Sequence, residues 1–235
     1  MINWNSFTDD PLEPKVRVEI ERYLRGIASV VDRSLESYFS ETAKGRGVLH
    51  IGCCEHSAKY MSAAGWKHRS IAEQASRVLG VDINEPAVLA MRELGYEVVC
   101  ADATGSTELG ERFDRVIIGD VIEHVGNLQG LLEFSRRHLA PEGELIISTP
   151  NPFFARHVLT AWFSGPMVAN FEHVSWVTES NMLEIARRAQ LTLKAVHYPV
   201  GNASRSQAKT WLKRFSYKVT GTALFTTNIY VLGAG

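Results

Sequence analysis

Two short apolar runs constrain the fold of this chain more than any other feature. The first, Val-Leu-His-Ile-Gly, ends at Gly52, and the second, Val-Leu-Gly-Val-Asp, ends at Asp82. Short, nearly continuous apolar runs are typical of strands buried on both faces of a parallel sheet. The carboxyl ends of such strands meet at one edge, where nucleoside-containing ligands bind. We therefore expect the functional site beside Gly52 and Asp82.

Bulk properties exclude several classes of protein. At 235 residues and 45% hydrophobic content, the chain can bury the core of one domain. A formal net charge of -1 gives no general field for nucleic acid or an anionic membrane, and no apolar segment has the length of a signal peptide or a membrane span. Cys53, Cys54 and Cys100 fit neither a disulfide framework nor a zinc site. The sequence predicts a cytoplasmic protein with reduced thiols and with neither nucleic acid nor membrane as partner.

Strand-length runs alternate with segments of helical spacing, which indicates an α/β fold built from parallel βαβ units. The predicted strands are 47–52, 78–82, 97–100, 115–119, 143–148, 191–198 and 223–232. The predicted helices between them are 68–77, 85–94, 127–139 and 180–190.

The flanking segments predict two additions to one structural domain. Residues 13–43 carry apolar stripes typical of amphipathic helices, so 1–44 is predicted to form a helical cover on a main unit at 45–235. The connection at 150–179 is long and rich in aromatics, which favours a lid. The basic, aromatic segment 209–218 favours a packed helix, with Trp211 and Leu212 on its buried face, over a nucleic-acid surface.

The turn after Gly52 indicates which nucleoside ligand the edge would hold. A dinucleotide site needs further glycines there to cradle its pyrophosphate, and the residues from Cys53 to Ser57 supply none. An adenosyl sulfonium has no phosphate: it needs close backbone approach, for which Gly52 is suited, and an acid for the ribose diol, for which Asp82 is suited. Asp102 follows the third run, where it can receive the adenine amino group. Asp120 follows the fourth run, beside the place where methyl donor and acceptor would meet.

In this order and spacing the motifs resemble those of the class I S-adenosylmethionine-dependent methyltransferases, especially the small-molecule, ubiquinone-biosynthesis-like group (methyltransferase types 11, 12 and 23). The resemblance covers about residues 45–200. The matching segments are 48–52, 80–83, 101–103, 113–125 with Asp-Val-Ile-Glu-His-Val, 139–145 with Leu-Ala-Pro-Glu-Gly-Glu-Leu, and 173–178 with His-Val-Ser-Trp-Val-Thr.

The resemblance implies a Rossmann-like, seven-stranded, mostly parallel sheet whose last strand is antiparallel, with the lid between strands five and six. It implies S-adenosylmethionine as cofactor, S-adenosylhomocysteine as product and a small-molecule methyl acceptor, with O-methylation of a sugar, phenolic or other metabolite hydroxyl favoured. Whether the protein forms a homodimer is left open. The cofactor-binding residues that it implies are His50, Gly52, Asp82, Ile83, Asp102, Ala103 and Asp120.

The chain departs from the family pattern at the first turn. His50 stands where an acid often supports the methionine amino group, and about ten more residues than usual separate Gly52 from Asp82. The extra loop carries Glu55, His56, Trp66 and His68 as candidate substitutes.

Catalysis is assigned to His124 and His173, because a hydroxyl acceptor gains from a base and an imidazole can accept a proton near neutral pH. For His124, orientation of a loop is an equally good interpretation. No metal is predicted, although Glu123 and His124 could join Asp120 or His173 around a divalent ion. Two rival functions stay open: a catalytically degenerate methyltransferase-like binding module, and a nicotinamide-dependent enzyme, which the missing glycines and the lack of a Tyr-x-x-x-Lys pair disfavour.

Overall fold

The computed structural model describes residues 8, 10, 12–55, 61, 65–201 and 215–235. None of the helices in that part of the chain has the length and apolarity needed to cross a membrane. The elements are α1 (Pro14–Ile27), β1 (Ala28–Val31), α2 (Leu35–Ala43), β2 (Gly47–Ile51), α3 (Lys67–Ala72), β3 (Arg77–Asp82), α4 (Glu85–Glu93), β4 (Val98–Cys100), β5 (Phe113–Gly119), a 3-10 turn (Ile122–His124), α5 (Leu128–Arg137), β6 (Leu139–Pro150), α6 (Ala155–Phe163), α7 (Glu179–Arg188), β7 (Leu191–Pro199) and β8 (Thr227–Ala234).

The strands form one sheet in the order β1-β7-β8-β6-β5-β2-β3-β4. β8 is antiparallel to its neighbours β6 and β7, and the other neighbouring pairs are parallel. This is the predicted Rossmann-like α/β fold with an antiparallel last strand.

The sheet of the described residues has eight strands rather than seven. The additional strand, β1, pairs in parallel with β7 from Ala28↔Val196 to Val31↔Pro199. The sequence prediction placed these residues in a helix, and it was wrong here. The adjacent β-branched pair Val30-Val31 explains the difference, because such residues favour a pleated surface with core contact on either side.

Several element boundaries differ from those predicted. β6 is longer than 143–148, because Leu139 already pairs with Phe113 of β5 and Pro150 still pairs with Thr227 of β8. α3 ends at Ala72, five residues before its predicted end at 77. The predicted helix face of Trp211 and Leu212 lies outside the described residues.

The hydrophobic core fixes the carboxyl ends of the central strands. The last or next-to-last apolar residues of β2, β3, β5 and β6 are each at most 2% exposed; they are Ile51, Val81, Ile118 and Ile147. Burying one such side chain contributes about 2 kcal/mol, so each strand end is held firmly in place. The polar residues that follow these strands therefore lie together at one edge of the sheet.

Candidate active site

A cleft of about 660 Å³ lies at this edge. It collects residues from the loops after β2, β3 and β5 and from the segment that precedes α7. Six of the predicted site residues line it: Gly52, Asp82, Ile83, Asp120, His124 and His173. The other three, His50, Asp102 and Ala103, are not among its described lining residues.

Asp82 is held rigidly at the end of β3. Its side chain is buried, and its two carboxylate oxygens accept hydrogen bonds from the backbone N–H groups of Cys54 and Asn84, each at 2.9 Å. A carboxylate has about four acceptor sites, so capacity remains for hydroxyl donors from the cleft. Ile83 follows with 72% of its surface exposed, which leaves an apolar side chain available to a flat ring.

The backbone conformation at position 52 and the side chains around it both require a glycine. Its φ is +75°, a conformation in which a side chain is strained, and its N–H donates to the carbonyl of Val81 at 2.8 Å. A Cβ at this position would overlap with the Cγ2 atom of Val121. Gly52 therefore keeps the loop after β2 close to the loop after β5, in addition to lining the cleft.

We expect Gly52→Ala to lower the free energy of unfolding by about 2–4 kcal/mol, combining left-handed strain with overpacking. Gly95→Ala is a matched control, since Gly95 has φ +86° but open space around it. Urea denaturation should show a larger decrease in the free energy of unfolding for Gly52→Ala than for Gly95→Ala. Adding Val121→Ala to Gly52→Ala should recover part of the difference. Equal losses would show that contact with Val121 contributes nothing.

His50 is buried beside the cleft and pairs with His68 of α3. The two Nδ1 atoms lie 3.0 Å apart, and the rings stack with centroids separated by 5.3 Å. Burial lowers the pKa of His50 well below its usual range, with the charges of His68 and Lys67 adding to the effect, and burial lowers the pKa of His68 to about 4. Two neutral imidazoles fit this contact, one Nδ1 donating and the other accepting. His50 and His68 therefore form an uncharged pair, and the cofactor role of His50 stays a prediction.

The loop after β4 holds the predicted adenine residues. Asp102 is exposed, and its Oδ1 accepts hydrogen bonds from the backbone N–H and the hydroxyl of Thr104, both at 2.8 Å. Ala103 packs against the main core. These contacts shape the loop, and the adenine role of both residues stays a prediction.

Asp120 stands at the end of β5 with φ +57°. Its Oδ1 accepts a hydrogen bond from the Ser148 hydroxyl at 2.8 Å, and its Oδ2 lies 3.1 Å from the Nζ atom of Lys67. Lys67 begins α3 inside the extra loop, and sequence reasoning missed it. The unusual length of that loop was the only available signal.

The turn after β5 brings together Glu123, His124 and His173. The backbone N–H of Val174 donates to the Glu123 carbonyl at 2.8 Å, and the Ser175 hydroxyl donates to the Ile122 carbonyl at 3.1 Å, which fastens the segment around His173 to this turn. The imidazoles of His124 and His173 then meet edge to face, with ring centroids 4.9 Å apart. The two predicted catalytic histidines therefore form one group.

Glu123, His124 and His173 could also hold a divalent ion. Each offers one ligand atom, and these atoms lie within 4.8 Å of one another. One carboxylate with two imidazoles is a donor set used for several transition metals. Independence from metal stays a prediction, and dialysis against a chelator tests it.

Burial raises the pKa of Glu123 from its ordinary value near 4.5 to about 7, and the charge of Asp120 adds to the rise. Between these values the folded protein keeps a proton that the unfolded chain has lost, so the free energy of unfolding falls as the pH rises.

We expect this free energy to fall by about 3 kcal/mol between pH 4 and pH 8 because of Glu123, and we expect Glu123→Gln to abolish that decrease. Urea denaturation across this range measures it, with the exposed Glu93→Gln as control. The same pH dependence in both variants would contradict the prediction.

The three cysteines are free thiols, as the sequence predicted. Cys53 and Cys54 are buried with their sulfurs 4.0 Å apart, and contact with Cys54 together with burial raises the pKa of the Cys53 thiol.

A mostly parallel α/β sheet with a glycine turn, a buried acid and a cleft at its carboxyl edge defines a nucleoside-binding protein of the Rossmann-like class. The model of one family, described as a methyltransferase domain, matches residues 21–196, three quarters of the chain. The chain belongs to this methyltransferase family, whose class I members use S-adenosylmethionine.

The individual relatives are distant. The chain is 26% identical over 125 residues to the ubiquinone biosynthesis O-methyltransferase of Coxiella burnetii, covering 51% of this chain and 50% of that one. It is 24% identical over 188 residues to the (S)-coclaurine N-methyltransferase of Papaver somniferum, covering 74% and 50%. The chain spans about half the length of these curated relatives. The crystal structure of N-methyltransferase NodS from Bradyrhizobium japonicum in complex with S-adenosyl-L-homocysteine shares the fold, with a TM-score of 0.51, 15% identity and coverage of 96% and 92%.

Proposed function

We propose that this protein transfers the methyl group of S-adenosylmethionine to a hydroxyl oxygen of a small molecule. The observation that carries the choice of oxygen is the contact between His124 and His173 in the cleft, because a hydroxyl acceptor needs a base and a neutral amine does not. S-adenosylmethionine supplies an activated methyl group on a sulfonium when it is bound.

The described residues fit this cofactor. The buried carboxylate of Asp82 can accept hydrogen bonds from a ribose diol, and the exposed side chain of Ile83 can lie against an adenine ring. Gly52 lets the backbone line the cleft without a side chain. None of these groups would favour a pyrophosphate, which supports a sulfonium nucleoside over a nicotinamide dinucleotide.

The charge of the cleft supports a small acceptor over a nucleic acid. Besides Glu123, whose pKa is raised, four carboxylate side chains line it, from Glu55, Asp82, Asp120 and Glu172, and a polyanion would be repelled there. A cationic sulfonium is stabilised by the same field.

The chain's own residues then have two tasks. The turn after β5 and the segment before α7 position an acceptor at the cleft, and His124 or His173 removes the hydroxyl proton as the oxygen attacks in line. Positioning contributes most of the rate in such a displacement, and the base adds to it.

The experiment is a methyl-transfer assay with S-[methyl-³H]adenosylmethionine and paired acceptors of matched skeleton, such as catechol with 1,2-diaminobenzene and glucose with glucosamine. Transfer to hydroxyl members supports the proposal. Transfer only to amines would contradict O-methylation. Binding of S-adenosylhomocysteine without transfer to either kind of acceptor, repeated with metabolite extracts, would favour the degenerate binding module.

A further inference from the structure

The strand order indicates where the amino-acid end of the cofactor would lie. Asp82 follows β3, whose neighbours in the sheet are β4 on one side and β2 on the other, with β5 beyond β2. A cofactor with its ribose at Asp82 and its adenine toward β4 extends its other end toward β2 and β5. The side chains of Lys67 and Asp120 lie there, on the cleft.

The charges of the cleft leave one place for a carboxylate. Lys67 is the only lysine or arginine among the described residues that line the cleft, against the carboxylates of Glu55, Asp82, Asp120 and Glu172. Its side chain is 24% exposed, so the ammonium group is accessible from the cleft. An α-carboxylate would be repelled elsewhere along this surface and attracted at Lys67.

We propose that the Lys67–Asp120 ion pair binds the zwitterionic amino-acid end of S-adenosylmethionine, an inference that rests on the proposed function. Lys67 Nζ donates to the cofactor α-carboxylate, and the Asp120 carboxylate accepts from the cofactor α-ammonium group. The two charges of the pair, 3.1 Å apart, match the two charges that the ligand carries on one carbon atom.

The extra loop holds Lys67 between two buried anchors. Trp66 is 1% exposed, and its Nε1 donates to the Cys53 carbonyl at 3.0 Å. On the other side, buried His68 pairs with His50. The aliphatic part of Lys67 packs over Gly119, where a Cβ would come within 3.3 Å of its Cδ atom.

This arrangement accounts for the departure at His50. His50 stands on β2 where, in the family that the sequence resembles, an acid often supports the methionine amino group, and His68 of the extra loop pairs with this histidine. The loop delivers a cation to the cleft, and Asp120 supplies the anion.

The test compares three ligands by calorimetric titration: S-adenosylhomocysteine, its decarboxylated analogue, and 5′-methylthioadenosine, which lacks both charged groups. Lys67→Met is expected to weaken S-adenosylhomocysteine about ten- to a hundredfold, the loss of one charge-assisted hydrogen bond. It should leave methylthioadenosine within about threefold and should not weaken the decarboxylated analogue. Asp120→Asn should weaken both amine-bearing ligands and spare methylthioadenosine.

Lys194→Met is the matched control, since Lys194 is exposed on β7 and outside the cleft. Retained methylthioadenosine binding shows that a variant is folded. Unchanged binding of S-adenosylhomocysteine by Lys67→Met, or an equal loss for all three ligands, would overturn the inference while leaving the proposed function intact. Failure of the unmodified protein to bind any of the three would overturn both.

Discussion

Asp82→Ala is expected to weaken the binding of S-adenosylhomocysteine by a hundredfold or more. The buried carboxylate is the described group best placed to receive two ribose hydroxyls, and hydrogen bonds to a charged acceptor contribute about 1.5–3 kcal/mol each. Alanine removes both acceptors and leaves the N–H groups of Cys54 and Asn84 without their carboxylate. Isothermal titration calorimetry at neutral pH measures the effect.

Two further variants separate binding from folding. Asp82→Asn keeps one amide oxygen for the neighbouring N–H groups, so its stability should lie closer to that of the unmodified protein while its affinity still falls. Glu93→Gln removes an exposed carboxylate from α4 and should change neither property. Affinity that survives in Asp82→Ala would place the ribose elsewhere and would contradict the proposed cofactor site.

The central strands could be predicted because the apolar pattern that identifies each of them lies within its own short segment. Residues 48–51 and 78–81 are apolar or buried at every position, which is the pattern of a strand covered on both faces, and the acid or glycine that follows marks the strand end. Since parallel strands end at a common edge, Gly52, Asp82 and Asp120 could be placed together from sequence alone.

β1 was missed for a physical reason. Ala28–Val31 follows α1 directly, and its apolar residues continue the helical stripe by chance. What makes it a strand is the free edge of β7, a partner 168 positions away in the register Ala28↔Val196. A pattern confined to one segment carries no information about such a partner, so the β propensity of Val30-Val31 could not be given its weight from the sequence alone.

Lys67 was missed for a similar reason, and the contact of His50 with His68 was not foreseen, while the cofactor role of His50 stays a prediction. The family pattern indicated that His50 replaces an acid, and sequence reasoning therefore assigned it to the cofactor. The structure adds a contact that the pattern did not show, because α3 brings His68 within hydrogen-bonding distance of His50 and Lys67 next to Asp120. The conformation of an irregular loop has no periodicity from which such contacts could be read.

The double variant His124→Gln/His173→Gln is expected to lower kcat with a hydroxyl acceptor about 10²- to 10⁴-fold, the range that general base catalysis contributes. Binding of S-adenosylhomocysteine should stay within about threefold, since the predicted cofactor contacts lie on other residues. Initial rates with labelled cofactor, at saturating acceptor, measure the loss. The single variants then show which imidazole takes the proton. His157→Gln is the matched control, because His157 lies on α6 and packs against Trp176 without lining the cleft.

The acidity of the acceptor distinguishes a base from a positioning group. If the histidines remove a proton, they are needed for a weakly acidic hydroxyl and become dispensable for an acceptor that is already ionised at the assay pH. In a series of ring-substituted phenols of increasing acidity, the factor by which the double variant lowers kcat should therefore decrease toward one. If the histidines only orient the turn after β5 and the segment around His173, every acceptor should lose the same factor. A decrease in kcat that does not depend on the acidity of the acceptor would contradict a role of the histidines as bases. It would also remove the reason for favouring an oxygen acceptor over a nitrogen acceptor in this cleft.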